Sequence, residues 1–198
     1  MRWAACLAAL GFACAAPADG LQPVAKFGTT VVINSGLRGN VYHIHRYRKM
    51  LPDFSKMKPV GVIYTTELNI PVQDFQQGFP GVTKRFEWFA IDYTGRFWVE
   101  RPGLYTFLLT SDDGANLYID GDLTVDNDGL HPPQDKTGTV ELTRGVHTIR
   151  VSYFQGPRFQ VALVLKMAGP GEQLRIFSTD EFKPPPHPDN WPETPSEK

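Results

Sequence analysis

The sequence has little cysteine, and both cysteines lie near the N-terminus. Cys6 and Cys14 fall in an apolar N-terminal segment, so the remainder of the 198-residue chain contains none. Disulfide bonds therefore cannot stabilise that remainder, and no cysteine is left there to act as a nucleophile. A domain of about 180 residues is large enough to fold on a hydrophobic core alone.

The chain also lacks an excess of charge of either sign. Its 20 lysines and arginines nearly balance 21 acidic residues, and no long run of Lys or Arg occurs. Proteins that bind nucleic acid by neutralising phosphates need such an excess, so nucleic acid is not expected as a partner. Charged residues make up 21 % and hydrophobic residues 41 % of the chain, which predicts a folded body.

Long hydrophobic runs are missing too, so no transmembrane segment is expected. The apolar run from Trp3 to Ala13 is shorter than the roughly 20 residues that a bilayer requires. It follows Met1-Arg2 and precedes Ala16-Pro17-Ala18, which is the layout of a secretory signal peptide. We expect residues 1–18 to be removed and the protein to be secreted or to lie in the periplasm or cell envelope of a bacterium. Acylation of Cys14 would instead make it a lipoprotein.

Glycine, proline and aromatic residues are abundant, with 18 Gly, 17 Pro, 13 Phe and 7 Tyr. Short β-prone runs recur about every 8–12 residues between Gly or Asp-Gly turns, without a sustained 3.6-residue period. This pattern predicts an all-β fold, an antiparallel β-sandwich or barrel. Strands are expected at Val31–Ile33, Val41–His45, Val60–Thr66, Gly103–Thr110, Asn116–Ile119, Leu123–Val125, Gly138–Leu142, Val146–Phe154, Phe159–Met167 and Leu174–Phe177.

An aromatic-rich stretch in the middle of the chain indicates a β-hairpin. Phe86–Tyr93 and Arg96–Val99 are β-prone, and Thr94-Gly95 between them is expected to form the turn. Its aromatic residues Trp88, Phe89 and Trp98 suit either the core and its rim or a platform on which a sugar ring stacks.

Acidic residues are concentrated in one part of the chain. From Pro102 to Asp135 there is no Lys or Arg, whereas seven aspartates occur there: Asp112, Asp113, Asp120, Asp122, Asp126, Asp128 and Asp135. Carboxylates in turns are oxygen ligands of the kind that Ca²⁺ prefers. An EF-hand is excluded because Thr124 occupies the first ligand position and no helices flank the loop.

The acidic loops differ in how readily a turn alone explains them. Asp120-Gly121 is most simply a hairpin turn, and Asp126–Gly129 suits a turn whose side chains cap their own backbone. Asp112-Asp113 is harder to explain, since adjacent carboxylates repel each other unless they are solvated or share a cation.

Several motifs follow one another in a characteristic order and spacing. They are Gly103-x-Tyr105-x-Phe107, Ser111-Asp112-Asp113-Gly114, Asp126-Asn127-Asp128-Gly129-x-His131 and Gly145-x-His147, the last leading to Tyr153-Phe154. In this order and spacing they resemble the PA14 domain family. His131 and His147 lie within these motifs and are expected to form structural hydrogen bonds. The resemblance implies a β-sandwich module of exported enzymes, toxins and adhesins. Together with the signal-peptide layout and the proline-rich composition from Pro184 onward, it divides the chain into a signal peptide at 1–18, an extension at 19–35, a PA14-like domain at 36–168, a further strand or extension at 169–183 and a proline-rich tail at 184–198.

The resemblance also implies candidate ligands. In lectin-like members of the family, two consecutive aspartates joined by a cis peptide hold a Ca²⁺ that ligates sugar hydroxyls, and Asp112 and Asp113 match those positions. Further ligands come from a later loop, often through an Asn, which the corresponding residues Gln155–Arg158 lack. Many members keep Ser-Asp-Asp-Gly as a turn motif only. The remaining candidate ligand-binding residues are Asp126, Asp128, Gln155 and Arg158.

Catalytic motifs are missing from the sequence, which has no G-x-S-x-G, H-E-x-x-H or phosphate-binding glycine loop. We therefore expect a binding module rather than an enzyme, with Ca²⁺-assisted recognition of a glycan on a cell surface or in a matrix. The alternative is a metal-free structural or protein-interaction module of the cell envelope. An oxygen of Gln155–Arg158 near the acid pair would support the first, whereas Arg158 folded onto the carboxylates would support the second.

Overall fold

A computed structural model describes residues 27–29, 36–76 and 84–184 of the chain. One short 3₁₀ helix, Phe54–Lys56, lies between the first two strands. Within the described ranges, no helix is long and apolar enough to cross a membrane. The strands described there are β1 (Leu37–His43), β2 (Gly61–Thr65), β3 (Asn69–Asp74), β4 (Phe89–Val99), β5 (Gly103–Asp112), β6 (Ala115–Ile119), β7 (Asp122–Asn127), β8 (Gln134–Leu142), β9 (Gly145–Gln155), β10 (Gln160–Ala168) and β11 (Arg175–Ile176).

The strands form two antiparallel sheets, which confirms the predicted all-β sandwich. One sheet has six strands in the order β2-β1-β4-β9-β6-β7. The other has the order β11-β10-β5-β8, and β3 pairs with β10 as well. Consecutive side chains of a strand point to opposite faces, so each strand can turn one row of apolar residues toward the other sheet.

The core lies between the sheets and is rich in aromatic residues. Its largest fully buried side chains include Tyr93, Tyr153, Phe89, Phe97 and Phe107. A smaller apolar cluster forms around Tyr42, Phe54, Trp88 and Phe154. Of the aromatic residues considered for sugar stacking, Phe89, Trp88 and Trp98 are all buried, as expected for residues of the core and its rim.

The expected hairpin around Thr94-Gly95 is wrong. β4 runs without a break from Phe89 to Val99, and all eleven of its residues pair with β9, including Gly95 with Ile149. A Cβ added to Gly95 would lie 2.7 Å from Leu37 Cδ2, so this glycine lets the start of β1 pack closely. Gly95 therefore allows β4 and the start of β1 to pack closely, although the composition of Thr94-Gly95 is typical of a turn.

The strand β3, which has Pro71 in its middle, was not among the strands predicted from the sequence. Proline lacks the N–H that a regular ladder requires. The pairing of β3 with β10 shifts register between Val161 and Leu163, opposite the stretch that contains Pro71. This irregularity accommodates the proline in a strand. The expected strand at Val31–Ile33 lies outside the described residues.

Candidate functional site

The acid pair lies at the end of β5, in the short connection to β6. Asp112 is the last residue of β5, and the peptide bond that joins it to Asp113 is cis. Gly114 follows, and a Cβ there would lie 2.6 Å from the backbone N of Gly129 and from a ring carbon of Phe154. A glycine at this position therefore allows the loop between β7 and β8 to pack directly against the pair.

Both carboxylates of the pair are largely buried, with 7 % of Asp112 and 5 % of Asp113 exposed. Oδ2 of Asp113 accepts a hydrogen bond from the Gly156 N–H at 2.6 Å. The amide nitrogen of Gln155 lies 3.5 Å from the same oxygen. The loop between β9 and β10 thus holds Asp113 in place through its backbone.

The electrostatics of the pair disfavour two negative charges. Burial, and then the neighbouring Asp113 charge, raise the pKa of Asp112 to about 7. Burial likewise raises the pKa of Asp113 to about 6, against the Gly156 hydrogen bond and the influence of His131. Neither carboxylate forms an ion pair with Lys, Arg or His in the described ranges. The site therefore favours protonation or a bound cation.

The side chain of Gln155 reaches the site with its N–H groups rather than its oxygen. Its amide nitrogen also lies 3.4 Å from the Pro157 carbonyl and 3.2 Å from the Gln160 carbonyl. Its oxygen lies 2.6 Å from the Tyr153 hydroxyl. Acceptors on one side and a hydroxyl on the other fix the orientation of the amide. In this orientation Gln155 presents a hydrogen-bond donor to Asp113.

Arg158 turns away from the acid pair. Its backbone N–H donates to Glu87 at 3.3 Å, and its guanidinium lies 5.3 Å from the centre of the Phe86 ring. The salt bridge that would have replaced a cation on the carboxylates is thus not formed by Arg158 in this structure.

Asp126 and Asp128 act within their own loop. Asp126 Oδ1 accepts a hydrogen bond from the Asp128 N–H at 3.1 Å. Asp128 Oδ1 accepts from the N–H groups of Gly129 and Leu51, both at 2.8 Å. Asp128 therefore caps the turn and also ties the loop before the 3₁₀ helix to the loop between β7 and β8. The turn interpretation accounts for both residues without a ligand.

The turn at Asp120-Gly121 is a tight connection with positive φ at both residues, 51° and 92°. Asp120 accepts hydrogen bonds from His147 Nδ1 at 2.6 Å and from the Thr148 N–H at 2.8 Å. The other ring nitrogen of His147 lies 2.9 Å from the Thr143 carbonyl. The expected structural role of His147 is confirmed, and the same holds for His131, whose ring nitrogens lie near two backbone carbonyls.

Sequence reasoning missed two residues that shape the site, Gly156 and Leu130. A Cβ on Gly156 would lie 2.5 Å from Leu130 Cδ1 and 2.9 Å from Asp113 Oδ2. Because Leu130 and Asp113 both lie this close to position 156, only a glycine fits there. The only local signal is the Gln-Gly-Pro composition of the loop, which indicates a turn without indicating what the turn contacts.

A family model described as PA14 domain matches residues 56–191. The chain belongs to the PA14 domain family. It is 24 % identical over 151 residues to the anti-sigma-I factor RsgI3 of Acetivibrio thermocellus, a match that covers 76 % of this chain and 21 % of that protein. This PA14 chain thus spans about a fifth of the length of the curated relative that it matches.

Solved structures similar to this PA14 domain include proteins described as sugar-binding. A PA14 sugar-binding domain from an RTX adhesin has a TM-score of 0.61 at 17 % identity and covers 74 % of this chain and 96 % of its own. The epithelial adhesin 9 A domain of Candida glabrata, solved with Galβ1-3GlcNAc, has a TM-score of 0.55 at 15 % identity over 78 % of this chain and 92 % of its own. At these identities the likeness shows the fold.

The residues of this PA14 domain fit a Ca²⁺ site in charge and in part of the donor set. The buried acid pair supplies two adjacent carboxylates, whereas no group of three or more His, Cys, Asp and Glu side chains that could hold a metal occurs among the described residues. Ca²⁺ takes about six to eight oxygen ligands and accepts backbone carbonyls and ligand hydroxyls among them. Oxygens other than side-chain carboxylates would have to complete such a site.

Proposed function

We propose that this PA14 domain is a carbohydrate-binding module that recognises a glycan on a cell surface or in a matrix, with Ca²⁺ held by Asp112 and Asp113. The observation that carries the proposal is the buried acid pair without an ion pair in the described ranges. The PA14 sugar-binding domain of an RTX adhesin and an adhesin domain solved with a disaccharide share the fold and support the ligand class.

The chain's own residues would orient the acid pair for this task. The Gly156 N–H holds Oδ2 of Asp113, and the backbone of His131 also hydrogen-bonds this carboxylate, so the loops after β7 and β9 both fix its position. Leu130 packs against Gly156 and supports the position of that loop. Bound Ca²⁺ would supply positive charge to the two carboxylates and open coordination positions to sugar hydroxyls.

The module would act by binding rather than by catalysis. We further propose that it is exported after removal of residues 1–18, which lie outside the described residues. Export would place the module where cell-surface and matrix glycans occur.

A metal-free protein-interaction module is the second candidate, and the orientation of Gln155 favours it. Its amide N–H groups, not its oxygen, face Asp113, and the Gly156 N–H already satisfies one oxygen of that residue. Similarity to part of an anti-sigma factor is compatible with this role, because a regulatory protein can use such a module to contact another protein.

Thermal unfolding with Ca²⁺ and with chelator distinguishes the two candidates. A ligand at about 100 times its dissociation constant stabilises the folded state by about 2.7 kcal/mol. In a domain of this size, about 1 kcal/mol shifts Tm by about 2–4 °C, so Ca²⁺ should raise Tm by roughly 5–11 °C. Asp112→Asn combined with Asp113→Asn should abolish the shift. Asp126→Asn, a change of an exposed acid near the end of β7, should leave it intact.

Glycan binding is measured on the same three proteins with a panel of neutral and acidic saccharides. Ca²⁺-dependent binding that is lost in the double variant and kept in Asp126→Asn supports the proposal. An unchanged Tm in Ca²⁺ and chelator would rule out the metal site, and binding to a protein partner would then become the leading function.

A further inference from the structure

A cleft lies at the segment that precedes β4, and a backbone hydrogen bond joins this segment to the loop that holds the acid pair. Its lining residues are Arg46, Arg85, Phe86, Glu87 and Trp88, and its volume is about 360 Å³. Gly156 donates its N–H to Asp113 and accepts a hydrogen bond from the Trp88 N–H at 3.1 Å. The loop between β9 and β10 therefore contacts the acid pair through the N–H of Gly156 and a lining residue of the cleft through its carbonyl. A volume of this size suits a ligand of one or two sugar rings.

Positive charge dominates the lining of the cleft. Arg46 and Arg85 line it directly, and Arg158 borders it through the packing of its guanidinium on Phe86. Glu87 is the one acidic residue among the lining residues named above. Burial, and then the charge of Arg85, lower the pKa of His43 at the end of β1.

The local sequence reinforces this charge. Residues 36–52 include Arg46, Arg48 and Lys49 but no Asp or Glu. Neither Arg46 nor Arg158 forms an ion pair with an acidic side chain in the described part of the chain. Their guanidinium groups are therefore not neutralised by acids described in this structure. This contrasts with Arg144 and Arg175 elsewhere, which pair with glutamates.

An exposed aromatic ring lies next to the arginines. Tyr47 is 74 % exposed, and its ring centre lies 6.1 Å from that of buried Trp88. The guanidinium of Arg46 lies 5.4 Å from the centre of the Tyr47 ring. An aromatic face can pack against the apolar face of a sugar ring, while a guanidinium binds carboxylate or sulfate oxygens in a bidentate manner.

We infer that the saccharide bound by this module is acidic, with a carboxylate or sulfate group held in the cleft by Arg46 and Arg85 while neighbouring hydroxyls face the Asp112–Asp113 site. This inference rests on the proposed function, because it extends the same glycan site across the loop between β9 and β10. It assigns the choice between acidic and neutral glycans to the arginines and leaves the acid pair with the recognition of hydroxyls.

Affinity measurements on matched polymers test the inference. Polygalacturonate is compared with its fully methyl-esterified form, and dextran sulfate with dextran, each titrated into the full chain by calorimetry in Ca²⁺. The wild-type protein should bind at least one charged polymer at least tenfold more tightly than its neutral counterpart. The polymer that shows this preference identifies carboxylate or sulfate as the group.

Two variants that remove the same charge separate a specific contact from general attraction. Arg46→Gln combined with Arg85→Gln should weaken binding of the preferred polymer at least tenfold and change binding of its neutral counterpart less than twofold. Arg38→Gln combined with Lys136→Gln removes two exposed cations on other parts of the sandwich and should change both affinities less than twofold. If the first variant fails to fold, Arg46→Gln alone should still weaken binding of the charged polymer at least threefold.

The outcomes distinguish this inference from the proposed function. Equal affinity for charged and neutral polymers, bound in a Ca²⁺-dependent manner, would overturn the acidic preference and leave the proposed function intact. Binding of the charged polymer that survives both chelation and the Asp112→Asn, Asp113→Asn double change would support the arginine cleft and overturn the calcium site. Equal losses in the two charge variants would overturn the specific role of Arg46 and Arg85.

Discussion

The Asp112–Asp113 pair should make the metal-free protein less stable as the pH rises. The usual pKa of an aspartate is 3.8, and burial raises the pKa of Asp112 to about 7 and that of Asp113 to about 6. The folded state thus keeps protons that the unfolded chain has already released. The contribution of this pair to the stability of the folded state is therefore greatest below about pH 4, and that contribution is lost as the pH rises toward about 7.

The size of the loss follows from the shift at Asp112. One pKa unit corresponds to about 1.4 kcal/mol, so a rise of about three units costs about 4 kcal/mol once the carboxylate is charged. The two carboxyl groups titrate as a pair, so the loss is assigned to both together. At about 2–4 °C for each kcal/mol, Tm should be lower by roughly 8–16 °C above pH 7 than near pH 4.

Other acids act in the opposite direction and must be separated from the pair. Hydrogen bonds and ion pairs lower the pKa of Asp53 and of Glu100. These two residues therefore stabilise the folded state increasingly as the pH rises through the acidic range. The measured quantity is therefore the difference between the wild-type protein and the Asp112→Asn, Asp113→Asn double variant. Both are melted in chelator from pH 4 to pH 8.

Between about pH 4 and pH 7, the Tm of the wild-type protein should fall relative to the Tm of the double variant. Ca²⁺ added at pH 7.5 should restore most of this loss of Tm in the wild type. Parallel curves for the two proteins would refute the reasoning, because they would show that burial does not disfavour the charged pair. A wild-type Tm that rises with pH relative to the variant would mean that folding lowers the pKa values of the pair instead of raising them.

Three further predictions concern the fold and the N-terminus. Gly138→Ala should destabilise the protein by more than about 2 kcal/mol in denaturant unfolding, because its Cβ would overlap the backbone carbonyl of Thr124; a loss below 0.5 kcal/mol would contradict this packing. His147→Phe should cost about 1–3 kcal/mol, since Oδ2 of Asp120 and the Thr143 carbonyl lose their hydrogen bonds to the buried imidazole, and an unchanged unfolding midpoint would disprove that role. Intact-mass analysis of the protein from its native host should find a new N-terminus within Ala16–Asp19, and a chain that starts at Met1 would contradict export.

Most strands could be predicted because their signals are local. Alternating apolar residues and Asp-Gly turns identify β6 and β7 around Asp120-Gly121, and both residues of that turn have positive φ. Thr94-Gly95 has a similar composition but lies inside β4, where Gly95 makes room for Leu37. A glycine that permits a turn and a glycine that permits close packing look the same in sequence, because the distinction depends on a residue far away in the chain.

The acid pair could be identified from its motif, but its surroundings could not. Two adjacent aspartates after a β-prone run indicate a site, yet its close neighbours come from two other loops, since Gly129 packs on Gly114 and Gly156 packs on Asp113. The orientation of the Gln155 amide depends on the Tyr153 hydroxyl and on two carbonyls. All of these neighbours lie more than ten positions along the chain from the acid pair, so the motif itself carries no information about them.

The sequence by itself determined the class of fold, the family and the position of the acidic motif, because strand periodicity, turn residues and motif order are local properties of the chain. Tertiary structure alone decided which glycines admit a neighbouring segment and where Arg158 points. It also decided that Arg46 and Arg85, which are 39 positions apart, line one cleft beside Trp88. Such a group of side chains forms only when the folded sandwich brings distant loops together. Electrostatic and packing interactions depend on distance in space, which the order of residues along the chain does not give.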